Sequence, residues 1–258
     1  MKKIFRLLFQ NPLLLIYPIV LDALSFAIGL MIIGFIGAPS TSMRLILEMG
    51  IPSVSYVSNI PQFVNQMQFM GDTVSVRAWI PVLIMLLLMA FAQGGYIASV
   101  RNVVEGSPIS IGQFMKDGKR NWVRFIFLFM IITAAKTAMT TLLAAFLGVI
   151  GLFLSLVVFV ILRILFIYVE NCIVVDQLNV DAAFRQSRRY FKASSFNTTG
   201  IVIAMMVSSA IISLVIHRLW SPAAIIVAIP LCAVVLSAIQ IAFMQQMCQV
   251  KRLHGSME

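Results

Sequence analysis

Residues 122–169 read WVRFIFLFMIITAAKTAMTTLLAAFLGVIGLFLSLVVFVILRILFIYV, and in this run only Arg124, Lys136 and Arg163 are charged. A bilayer core about 30 Å thick is crossed by roughly 20 helical residues, so the run is long enough to cross twice. Gly148 and Gly151 stand near its centre, where a tight turn between two helices would fall. The expectation is a membrane hairpin with Lys136 inside its first arm and Arg163 inside its second.

The rest of the chain has the same character. Apolar residues make up 61% and charged residues 11%, where soluble domains run near a half and a quarter. The apolar residues fall in long blocks, which excludes a soluble domain. The expected fold class is therefore all-α: a polytopic integral membrane protein forming a single membrane domain over 1–258. Six transmembrane helices are expected at about 13–36, 79–100, 123–146, 149–169, 196–216 and 223–246. An outer loop, 38–78, would join the first two. Residues 12–37 are too long for the apolar core of a secretory signal and are interrupted by Asp22, so a retained first helix is expected. Residues 1–10 pattern as an amphipathic helix lying on the inner surface. Within the outer loop, 43–49 and 60–70 have helical periodicity and read as short interfacial helices.

The net charge of +10 does not point to nucleic acid, because the basic residues stand beside the ends of the apolar runs. With the N-terminus inside, fourteen of the nineteen Lys and Arg fall on inner segments. Three fall outside (Arg44, Arg77, Arg218), and Lys136 and Arg163 lie within the membrane. All connecting loops are short enough for the positive-inside rule, so both termini should be cytoplasmic. Cys172, Cys232 and Cys248 have neither metal-ligand spacing nor a CxxC pair, and read as reduced and incidental. No metal site and no cofactor is expected.

The two inner loops align at a constant register. Val104-Glu105 meets Val175-Asp176, Ile109-Ser110 meets Val180-Asp181, and Phe125 meets Phe196. Ser110 and Asp181 would each cap a short interfacial helix that ends in basic residues before the next span. That suggests an internal repeat. The plainer alternative is that any inner loop with an interfacial helix looks this way.

The segments GGY…VRNVVEGSPISIGQFMKDGKRNW and RILFIYVENCIVVDQLNVDAAFRQSRRYFKA, with the opening NPLLLIYP, resemble a broad group of bacterial multi-pass membrane proteins. One branch of that group is the membrane domain attached to some glycerophosphodiester phosphodiesterases. The resemblance covers about 94–216 and implies a helical membrane fold in a bacterial plasma membrane. The paired acidic and histidine motifs of the phosphodiesterase are absent from this sequence, so its activity is not implied.

Ionisable groups at membrane depth cost about 2.5 to 3.5 kcal/mol each on insertion scales, so each needs a partner or a role. Asp22, Lys136 and Arg163 lie roughly 15, 20 and 10 Å from the inner ends of their helices at 1.5 Å per residue. With Glu170, two turns beyond Arg163, they form a candidate buried charge cluster, in which Asp22 is expected to pair with Lys136 or Arg163. Thr133, Thr137, Thr140 and Thr141 make a polar stripe beside Lys136. One reading is a site for substrate or protons; the other is an ion-pair lock between helices, with Arg163 partly snorkelling. Arg185, Arg188, Arg189 and Lys192 would contact anionic lipid headgroups. His217 reads as a residue of an outer surface turn. No nucleophile elbow, HExxH, Walker loop or dinucleotide fingerprint is present, so no enzyme is expected. The leading expectation is an accessory, assembly or immunity-like component working with another membrane protein. The alternative is a small transporter or permease subunit. A wet cavity around the buried charges would favour the second, and a closed seam the first.

Overall fold

The computed structural model describes residues 2–35, 38–47, 50–58 and 76–255. Among these the elements are helices α1 (Lys2–Gln10), α2 (Leu13–Ile33), α3 (Val76–Glu105), α4 (Ile111–Leu165), α5 (Val169–Val175), α6 (Val180–Ala193), α7 (Ser195–Arg218) and α8 (Pro222–Gly255), with one 3-10 turn at Val54–Tyr56. Four stretches of the described residues are long and apolar enough to cross a membrane: 13–31, Ile111–Val175, Ser195–Arg218 and Pro222–Leu253. Proline marks two helix starts, since Pro12 precedes α2 and Pro222 opens α8. A proline there gives up only an amide that would be unpaired in any case.

Helix α4 folds back on itself. Gly148 has φ 58° and ψ −133°, the single non-helical residue inside it, and a positive φ favours glycine. Contacts between the two arms step in opposite directions from this point. The Leu143 carbonyl lies against Gly151, Thr140 reaches Ser155 at 3.5 Å, and the Lys136 ammonium sits 5.0 Å over the Phe159 ring. The arms are thus antiparallel. A Cβ on Gly151 would run into the Leu143 carbonyl oxygen, a clash with backbone that no rotamer change relieves. Gly151→Val is therefore expected to cost at least about 3 kcal/mol, the upper part of the usual overpacking range. Gly200→Ala, at a helical glycine with nothing within 4 Å, should be neutral or slightly stabilising. Thermal unfolding in detergent compares the two.

Small residues also set the packing of α3 on the first part of α4. A Cβ on Gly95 would meet the Phe114 carbonyl oxygen at 2.8 Å, and one on Gly118 the Phe91 carbonyl oxygen at 3.0 Å. Backbones come this close only where side chains are absent, as in membrane helix pairs. Across the core, the Tyr96 hydroxyl of α3 and Ser237 of α8 are 2.8 Å apart.

The inner loops only partly match the repeat read from the sequence. Ser110 does cap a helix, its Oγ accepting from the Gln113 amide at 3.1 Å. That helix is not a separate interfacial piece, however: it runs without a break into the hairpin. In the second loop α6 is separate, ending at Ser194. Its N-cap residue is Asn179 rather than Asp181, and no side chain caps it. Asp181 lies within the first turn and pairs with Arg185 at 2.7 Å, where a carboxylate also suits the helix dipole.

The largest departure from expectation is in the connection between α2 and α3. The sequence reads 43–49 as a short helix; the described part, 43–47, is not helical. The other expected helix, 60–70, lies outside the described residues. The segment from Ser40 onward, the strap (40–47 and 50–54), runs along α7 and is largely buried from Ile46, while Met43 and Leu45 stay exposed. The Ser40 amide donates to the His217 carbonyl at 2.9 Å, the Arg44 amide to Ser213 Oγ at 3.0 Å, and the Ile46 amide to Ser209 Oγ at 3.1 Å. Strap numbers rise as α7 numbers fall, so the two run antiparallel. Four residues of helix rise about 6 Å, close to the roughly 6.7 Å spanned by two residues of extended chain. Serines at i and i+4 therefore meet amides at i and i+2. Side-chain hydroxyls supply the acceptors that a neighbouring strand would have supplied.

Candidate functional site

The strap reaches depths where polar groups are expensive. Ser209 lies nine residues from the Arg218 end of α7, about 14 Å at 1.5 Å per residue, and Asp22 lies eleven from the Ile33 end of α2, about 16 Å. Non-helical backbone at such depth is tolerated in a membrane only when its amides and carbonyls are satisfied by protein or water. Here the helices satisfy them with side chains. Arg163 of the second hairpin arm donates from Nε to the Leu47 carbonyl at 2.9 Å. Gln240 of α8 donates to the Gly50 carbonyl. Asp22 closes the path: its Oδ1 accepts from Ser53 Oγ at 2.6 Å, and its Oδ2 from the Val54 amide at 2.7 Å. Ser53 in turn accepts from the Ser55 amide and so caps the 3-10 turn. Ile46, Ile51, Val54 and Val57 are buried here.

Of the candidate charges, the structure brings Arg163 and Glu170 together. Their Nη2 and Oε1 are 2.5 Å apart, with side chains only 8% and 4% exposed. Such a pair stabilises little in total, but losing one partner strands a desolvated charge. The second carboxylate oxygen, Glu170 Oε2, is buried without a hydrogen-bond partner among the described residues. Asp22 is held by the strap, as described. Lys136 lies on the exposed outside of the hairpin, its ammonium against Phe159. Thr133, Thr137 and Thr141 are exposed around it, while Thr140 turns toward Ser155.

In the second polar loop, α6 buries Val180, Ala183, Ser187 and Tyr190, which leaves Arg185, Arg188, Arg189 and Lys192 exposed on its other face. Asp176 ties this layer to α8 by accepting from Lys251 Nζ at 2.6 Å and from the Tyr190 hydroxyl at 3.1 Å. Burial pushes the Tyr190 hydroxyl up, and the nearby Asp176 charge pushes it further. It stays protonated near neutral pH, so Tyr190 remains a donor to Asp176. The three cysteines are free, with Cys172 and Cys232 buried, the setting of an inert rather than a reactive thiol. No group of His, Cys, Asp and Glu suited to a metal occurs among the described residues.

Several residues of the seam are not among the sequence candidates: Ser53, Ser209, Ser213, Gln240 and His217. His217 is 2% exposed rather than on a surface turn, stacks on Trp220 at 5.6 Å, and places Nδ1 2.8 Å from the Ser213 carbonyl. The available signal was a pair of serines four apart in an apolar span. Ser209→Ala should cost about 1 to 3 kcal/mol by orphaning the Ile46 amide, and unfolding midpoints measure it.

The seam leaves little space. The crevice lined by Ile46, Gly50, Tyr56, Met205, Leu236 and Gln240 admits about one water molecule. Compared with family models, curated proteins and solved structures, the chain matches none.

Proposed function

We propose that this protein is a non-enzymatic accessory, assembly or immunity-like component of a bacterial plasma membrane, working with another membrane protein. It crosses the bilayer six times, with both termini and the two basic inner loops in the cytoplasm. The observation that carries this reading is the closed seam. Arg163 and Gln240 donate to the chain's own strap, and Asp22, Ser209 and Ser213 accept from it. The adjoining crevice is water-sized. A solute has no place among them while the strap is seated. The exposed cations of α6 suit anionic headgroups, at about 1 kcal/mol per charge near the surface.

The second reading, a small transporter or permease subunit, draws on the strap's non-helical backbone. Transporters build midplane sites from interrupted backbone, and here the strap would have to withdraw. Purification from native membranes in mild detergent, followed by solute counterflow in vesicles, separates the two. A stoichiometric membrane-protein partner without counterflow is the expected result. Counterflow by the protein alone, abolished by Arg163→Met, would overturn it.

Topology has its own test. On a background free of the native cysteines, an impermeant thiol reagent outside intact cells should label Thr41→Cys and spare Ser107→Cys and Lys192→Cys. Labelling of either inner position would reverse the orientation.

A further inference from the structure

The first hairpin arm presents a cation where a bilayer offers no counter-charge. Lys136 follows Val123 by thirteen residues and precedes the Gly148 turn by twelve, about 20 and 18 Å of helix. A lysine stem cannot bridge either distance to the headgroups, so snorkelling does not rescue it. Residues 133–138 are all exposed, and in the most apolar part of the whole span Ile111–Val175 only 11% is buried, against 56% for α8. The hairpin's outer arms thus stand apart from the bundle. Phe159 covers one side of the ammonium, and among the described residues no carboxylate lies within ion-pair distance of it.

Among the described residues, a second copy offers no free carboxylate at membrane depth: Asp22 holds the strap, and Glu170 is 3% exposed and paired with Arg163. We propose that the face around Lys136 is a docking surface for a transmembrane helix of a different protein, one that carries a carboxylate at the middle of its span. This rests on the accessory reading and names the kind of partner. The neighbouring Thr133 and Thr137, with Ala134 and Ala138, are small enough for a second helix to approach closely.

The test uses synthetic transmembrane helices of leucine and alanine with a single central Asp or Leu, mixed with the full-length protein in phosphatidylcholine vesicles. Association is read by energy transfer. The central-Asp helix should associate about tenfold more tightly than the Leu helix, the factor expected for roughly 1.4 kcal/mol of polar interhelical contact. Lys136→Met should remove the difference, and Lys136→Arg should keep it. Shifting the Asp by two turns toward either end should also remove it. Equal association of the two helices, or a preference untouched by Lys136→Met, would overturn the docking face. So would loss of the preference on adding phosphatidylglycerol, which would make a lipid headgroup the counter-ion. If the preference is absent while the protein still co-purifies with a membrane partner, the docking face fails and the accessory reading stands. If the preference holds without any native partner, the accessory reading fails instead.

Discussion

Replacing Arg163 by methionine is expected to destabilise the protein by about 3 to 5 kcal/mol, the cost of stranding one member of a buried ion pair. Glu170 would keep a carboxylate in a nearly closed setting, with one oxygen stripped of Arg163 and the other already without a partner among the described residues. The Leu47 carbonyl would lose its guanidinium donor in the same step. The double change Arg163→Met with Glu170→Met removes the stranded charge and leaves only the carbonyl unmet. It should therefore recover most of the loss, retaining a deficit of about 1 to 3 kcal/mol. Thermal unfolding of the two single variants and the double variant measures the coupling. Strict additivity would show that the two groups do not act as a pair.

Asp22 should be nearly as sensitive, and asparagine should not rescue it. Both carboxylate oxygens accept, one from Ser53 Oγ and one from the Val54 amide. An amide side chain offers one acceptor and sets its NH₂ against one of the two donors. Hydrogen bonds to charged groups contribute about 1.5 to 3 kcal/mol each, so Asp22→Asn should cost about 3 kcal/mol. It should also loosen the strap, so that a cysteine at Ser53, 7% exposed in the native packing, reacts with thiol reagents faster than on the Asp22 background. If Asp22→Asn matches the native protein in stability and in Ser53→Cys labelling, the carboxylate does not hold the strap.

The hairpin was legible in the sequence because its signals are local: two apolar runs of spanning length with Gly148 and Gly151 between them. The strap was not. Residues 43–49 carry a helical apolar pattern, yet what decides the conformation of 43–47 is the supply of acceptors on α7, more than 160 residues away. In an apolar span Ser209 and Ser213 look like ordinary small residues. Only an account of every buried amide gives them a purpose. The charges were legible in part. Arg163 and Glu170 are seven apart and near one face of a helical pattern, so their pairing could be read from spacing. Asp22 found its partners in the strap, which no spacing rule connects to it. Asp181 was read as a cap because it aligns with Ser110 and its side-chain oxygen can accept from a helix start, but the helix begins two residues earlier, after Asn179.

Hydrogen–deuterium exchange of the full-length protein in lipid nanodiscs, resolved over 40–47 and 50–54, tests the seated strap most directly. The amides of Arg44, Ile46 and Val54 are bonded to Ser213, Ser209 and Asp22. They should exchange as slowly as the middles of α2 and α7, and Asp22→Asn should speed Val54 selectively. Exchange of the whole segment within seconds, at the rate of an outer loop, would contradict a strap seated inside the bundle.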